Sequence, residues 1–176
     1  MTLTAAVRRP AEKEVHRDAT WSVATECRGA AVARVVRCGS DLEVRVGDGP
    51  TGAHGHPLSA AVATLHGNGS MSVRTQAAPP ALWVQSAGVW LLPSGASGPE
   101  PRPRSQDRLL LLSADALDTE PSGLVALLAM PADEVLTIPA DQLLSLVLPP
   151  GGPGAAAVVW RSGGAWTASF GTESRR

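Results

Sequence analysis

Tyrosine is absent from these 176 residues, phenylalanine occurs once, and lysine is almost missing. That bias has the look of GC-rich coding and carries no chemistry. Cysteine is scarce too. Cys27 and Cys38 are too few for a disulfide framework and too isolated for a zinc motif. They read as two small buried thiols. No apolar run reaches the roughly 18 residues expected of a membrane span. The segment from Met1 to Asp18 has no hydrophobic signal core. Both absences lead to the expectation of a cytoplasmic protein. A formal net charge of −1 without a basic stripe argues against nucleic acid and anionic membranes as partners.

What the chain does have is material for a core. Hydrophobic residues make up 44% of it, enough for one globular domain. The expected layout is a disordered lead-in over residues 1–18, one domain over 19–171 and a short tail over 172–176.

The central stretch runs from Asp41 to His56. Leu42, Val44 and Val46 alternate with Glu43 and Arg45, the period-two pattern of a half-buried strand. Asp48 follows in a loop rich in Gly and His. Trp21–Thr25 and Ala31–Cys38 read as strands, the second turning through Gly39-Ser40 into the central one. Leu58–Leu65 is either a short helix or a strand. The Asn68-Gly69 turn and the alternation after Met71 favour a hairpin. Ala81–Gln85 and Val89–Leu92 form another. Residues 93–106 read as a mobile loop.

Leu109–Leu112 is apolar throughout, as a central strand would be. Ser122 is placed to cap a helix over Gly123–Met130, and Pro139-Ala140-Asp141 opens another with one apolar face. Ala155–Arg161 and Ala165–Phe170 read as a closing hairpin. The expected class is α+β, with strands outnumbering helices.

Few side chains suggest chemistry. Asp48 is either a metal ligand or a turn former that caps nearby N–H groups. Asp115, Asp118 and Glu120 either take part in a site or solvate a loop. His54 and His56, with His66 beyond, could offer imidazoles to zinc, but no cysteine lies near enough to complete a site. Ser113 has no recognisable His/Asp partner, so no catalytic nucleophile is assigned. Trp83, Trp90 and Trp160 fall in strands and are expected to pack inside. Trp21 and Trp166 lie on outer strands and are the expected anchors for a partner.

The order of several segments resembles the PPM-type metal-dependent protein phosphatases, in the bacterial branch typified by the stage II sporulation phosphatase. Asp107-Arg108-Leu109-Leu110-Leu111-Leu112-Ser113-Ala114-Asp115-Ala116-Leu117 resembles that branch's Gly-Asp-Arg-Leu-Leu-Leu-Tyr-Thr-Asp-Gly-Leu. Gln76 to Leu82 resembles its Asn-Ala-Gly-His-Pro-Pro segment, and Gly47-Asp48 its Gly-Asp. Arg28 to Ala33 falls where the branch carries Gly-Gly-Asp-aromatic-aromatic-Asp. The resemblance covers residues 20–165 and implies a shortened sandwich of antiparallel sheets with few helices.

It also implies paired Mg²⁺ or Mn²⁺ ions held by converging aspartates. Here the family's acidic positions fall on Ala30, Ala33, Pro153 and Gly154. Asp48 keeps its place. Asp115 keeps it with one inserted residue, and Ala114 takes the position otherwise. These two are vestigial metal candidates, and no cofactor is expected.

The reading is therefore an inactive phosphatase-like domain that binds or regulates in bacterial signalling. Its expected partner is a protein, by resemblance one from an anti-sigma antagonist pathway, or a second copy. The alternatives are an active metal-dependent serine/threonine phosphoprotein phosphatase with a reduced site, and a purely structural protein. Between Gly55 and Met71 the chain is too short for a full second helical layer. The expectation is a bare sheet face, costly in water unless something buries it.

Overall fold

A computed structural model describes residues 11–51, 57–93, 101–119, 121–148 and 150–162. Ten strands and four helices make up the described fold, in the order β1 (Glu12–Arg17), β2 (Trp21–Arg28), β3 (Val32–Cys38), β4 (Asp41–Thr51), β5 (Pro57–Leu65), β6 (Met71–Gln76), β7 (Ala81–Gln85), β8 (Gly88–Leu92), β9 (Arg108–Leu112), α1 (Ala114–Thr119), α2 (Ser122–Ala129), α3 (Ala132–Thr137), α4 (Ala140–Val147) and β10 (Gly154–Arg161). A large sheet runs β1-β2-β10-β9-β7-β8 and a small one β3-β4-β5-β6, with every pairing antiparallel.

The side-chain alternation of the strands builds two cores. Leu42, Val44 and Val46 from β4 meet Ala61, Ala63 and Leu65 from β5, and the two strands face Trp21, Val23, Leu109, Leu111 and Val159 of the large sheet. The opposite face of that sheet, with Ala24, Leu110, Leu112, Val158 and Trp160, is covered by Leu127, Val135, Leu143, Leu144 and Val147 from the helices. Among the described residues the result is one sandwich with a single helical layer.

Two close approaches set that layer. An added Cβ at Gly123 would lie 1.8 Å from the carbonyl oxygen of Leu146, so only glycine lets α2 lie this close to α4. Gly154 opens β10 at φ +148, with its Cα pressed toward α1.

Several expectations need correction. The lead-in expected over 1–18 contains β1, which pairs with β2 from Glu12 to Arg17; residues 1–10 lie outside the described part. Asp48 is not in a loop. It sits within β4 opposite Ser59, and a register shift between Asp48 and Thr51 carries the strand past it. Helices α1 and α3 fall where no helix was expected, and Pro121, not Ser122, takes the N-cap position of α2. The loop expected over 93–106 is tied down in its described part: Pro101 accepts the N–H of Met71 and Asp107 accepts that of Arg104. β10 has β2 on one side and β9 on the other, so both its edges are taken and it is not half of a hairpin. Residues 165–170 lie outside the described residues. Cys27 is half-buried and Cys38 exposed, and Trp90 is 54% exposed instead of packed inside.

Leu58–Leu65 is a strand within β5, paired with β6 in a hairpin. Among the described residues the helices pack on the large sheet, with α1 also touching β4. Among the described residues no helix covers the outer face of the small sheet, and that face, though it carries exposed Val36, is not the apolar surface that was expected. Arg34, Glu43, Arg45 and Arg74 stand on it. No cost of exposed apolar area therefore obliges a second copy to cover it.

Candidate functional site

The candidate site lies at the end of the sandwich where β4, β9 and β10 meet α1. Leu112 closes β9, and Ser113 turns the chain into α1. The Ser113 hydroxyl is fully buried and accepts two backbone N–H groups, from Ala116 at 3.3 Å and Ala155 at 3.0 Å. It therefore caps α1 and ties that helix to β10. Ser113 is thus the joint between β9, α1 and β10.

Asp48 reaches the same corner from β4. Its Oδ1 accepts the N–H of Asp115 at 2.9 Å. Asp48 and Asp115, distant in sequence, are thus brought together, the one as acceptor for the other's backbone. Burial first, then the negative charges of Asp48 and Asp118, hold the Asp115 carboxyl above its ordinary pKa.

The ions implied by the resemblance can be tested against these residues. A pair of Mg²⁺ or Mn²⁺ ions needs several hard oxygen donors around one point. Only Asp48 and Asp115 of the candidate ligands supply carboxylates, and Asp48 Oδ1 already holds a backbone N–H. Ala30 and Ala33 offer no donor. At Gly154 φ is +148, a conformation that side-chain-bearing residues rarely adopt, and a Cβ would stand 3.0 Å from Ala116 Cα, Ala116 Cβ and Leu148 Cδ2, so an acidic residue there would strain the backbone and press on α1 and Leu148. Among the described residues no three His, Cys, Asp or Glu side chains converge to hold a metal. The donor set does not fit a binuclear centre.

Beside this corner an open cleft of about 590 Å³ is lined by Arg28, Gly29, Gly151, Gly152 and Pro153. Arg28 is not a loose cation there. It pairs with Glu26, whose fully buried carboxylate also meets Lys13 at 3.1 Å. Nothing local marks that triad in the sequence, because Lys13 belongs to a strand read as a lead-in.

The other candidates separate. His54 and His56 lie outside the described residues. His66 is at the far end of the sandwich, its Nδ1 2.9 Å from Asp41 Oδ2, and its carbonyl accepts the indole N–H of Trp21 at 2.9 Å. Trp21 is 1% exposed, beneath the Arg161 guanidinium at 5.3 Å, and so is a core residue instead of a partner anchor. Trp166 lies outside the described residues.

No known family profile matches the chain, and no curated protein matches it. Among solved structures, a crystal structure of RsbX in complex with magnesium is similar, with a TM-score of 0.53 at 9% identity, covering 86% of this chain and 100% of that one. No helix of the described residues is long and apolar enough to cross a membrane. At this identity the likeness shows the fold alone, and the fold it supports is that of the PPM-type phosphatases.

Proposed function

We propose that the chain is a catalytically inactive phosphatase-like domain that serves as a binding or regulatory module in bacterial signalling, in the cytoplasm. The observation that carries this reading is the packing at Gly154. Where the resemblance would place a metal-binding acid, the chain has no side chain, and α1 stands 3.0 Å from where one would begin. With Asp48 occupied by the N–H of Asp115, the corner is built as a helix cap.

The partner in this reading is a protein, with an anti-sigma antagonist pathway the closest guide that the resemblance supplies. The test is hydrolysis of p-nitrophenyl phosphate and a phosphoserine peptide by the purified chain with Mn²⁺ or Mg²⁺. Turnover should not exceed that of buffer with metal. Metal-dependent turnover lost in Asp48→Ala would overturn the reading and establish the alternative, an active serine/threonine phosphoprotein phosphatase with a reduced site. The meeting of Asp48 and Asp115 is the feature that favours that alternative.

A further inference from the structure

We propose that the outer face of the small sheet is a docking surface for an acidic amphipathic helix of a partner protein. This deepens the binding-module reading and rests on it. The strand register sets Arg34 of β3 directly opposite Arg45 of β4, then Val62 of β5, then Arg74 of β6. Like charges directly opposite one another on a sheet are unfavourable. Glu43 is the one acidic side chain in that cluster, pairing with Arg45 and lying 3.7 Å from Arg74. Arg45 and Arg74 share that carboxylate and Arg34 stands beside them in register, so these four charged positions carry a positive surplus.

The geometry suits a helix. Arg34 and Arg74 stand on the two edge strands, and three strand spacings place them about 14 Å apart. A helix roughly 10 Å across can lie over β5, with the Arg45–Glu43 pair of β4 beneath one of its polar flanks. Val62 and Thr64 would meet its apolar stripe, and carboxylates on its two flanks would meet Arg34 and Arg74. Arg74 is 72% exposed at its side chain, so its charge is available to a partner.

Other occupants match less well. Residues 1–10 carry Arg8 and Arg9, and residues 163–176 carry Arg175 and Arg176 against Glu173 alone, so both segments have the sign of the face. A second copy applied face to face would set one arginine row against the other. Nucleic acid would find no aromatic side chain on the outward positions of these four strands to stack a base.

The test is fluorescence anisotropy with a labelled helical peptide bearing a leucine stripe flanked by glutamates. Its lysine-flanked counterpart and a single-stranded oligonucleotide are the comparison probes. The acidic peptide should bind saturably and more weakly as salt rises. The double variant R34E/R74E should lose at least about tenfold in affinity and gain affinity for the lysine peptide. Arg34→Glu places opposite charges across from Arg45, whereas Arg74→Glu sets a second carboxylate near Glu43, so circular dichroism checks the fold of the double variant and Arg34→Glu alone should also lose affinity. The variant Arg104→Glu, away from this face, should bind as the unaltered chain does. No binding of the acidic peptide, equal binding by R34E/R74E, or an oligonucleotide bound as tightly and lost in that variant would each overturn the proposal. Phosphate-ester hydrolysis does not involve this face, so a failure of peptide docking is distinguishable from a failure of the inactive-domain reading.

Discussion

Asp48 Oδ1 accepts the backbone N–H of Asp115 at 2.9 Å, joining the small sheet to the first turn of α1. The two side-chain charges oppose each other across that bond. Burial and the charges of Asp48 and Asp118 raise the Asp115 pKa in the folded state, so folding favours its protonated form. The stabilisation this gives is complete below the ordinary carboxylate range and is lost as pH rises through the folded pKa. Asp115→Asn should therefore raise Tm at pH 7, with a gain that shrinks on acidification. Thermal melts of both proteins from pH 3 to 8 check this, and a constant Tm difference across that range would refute it.

Ser113 is the joint between β9, α1 and β10. Replacing it with alanine leaves the N–H groups of Ala116 and Ala155 without an acceptor in a buried place. Ser113→Ala should cost about 1–2 kcal/mol. Urea denaturation measures it, and an unchanged midpoint would show that water replaces the hydroxyl.

Gly123 is the tightest point of the helical layer. In Gly123→Ala the new methyl would meet the backbone carbonyl of Leu146, which cannot swing aside as a side chain can. The loss should be roughly 3 kcal/mol or more. Denaturant unfolding of this variant beside Ala129→Gly, an exposed position in the same helix, separates the steric effect from helix propensity.

Arg108 is 2% exposed, and burial pushes its pKa down to about 10, the neighbouring Asp107 charge acting the other way. One of its terminal nitrogens donates to the carbonyls of Gln106 at 2.6 Å and Asp107 at 2.9 Å. Arg108→Ala removes these donors and leaves a cavity, and should cost about 3 kcal/mol. Arg108→Met fills the space and should cost less. Equal losses in the two variants would place the whole effect in the hydrogen bonds.

The strands were legible because their period of two is written in the side chains, as in Leu42, Val44 and Val46. The turns were legible because Gly39 and Gly69 take positive φ. Helices α1 and α3 were not, since six residues are too few to show a helical period. Trp21 was misplaced because its burial comes from the facing small sheet and from Arg161, all distant along the chain, and nothing local marks it. Asp48 and Asp115 were named from the resemblance as vestigial metal candidates. The bond between them was not, because the register shift that carries β4 past Asp48 has no signature of its own.

The position of β10 has a consequence for the order of assembly. It lies between β2 and β9, with Trp160 opposite Ser22 and Val159 opposite Leu109. Until those residues leave the ribosome, β2 and β9 present facing rows of unpaired N–H and carbonyl groups, and the larger sheet exists as two separate pieces. Closing so long a loop is slow, and its intermediates are open-edged. A nascent chain stalled before Ala155 should be the species that chaperones hold and proteases cut, whereas one released past Arg161 can shut the sheet in a single step.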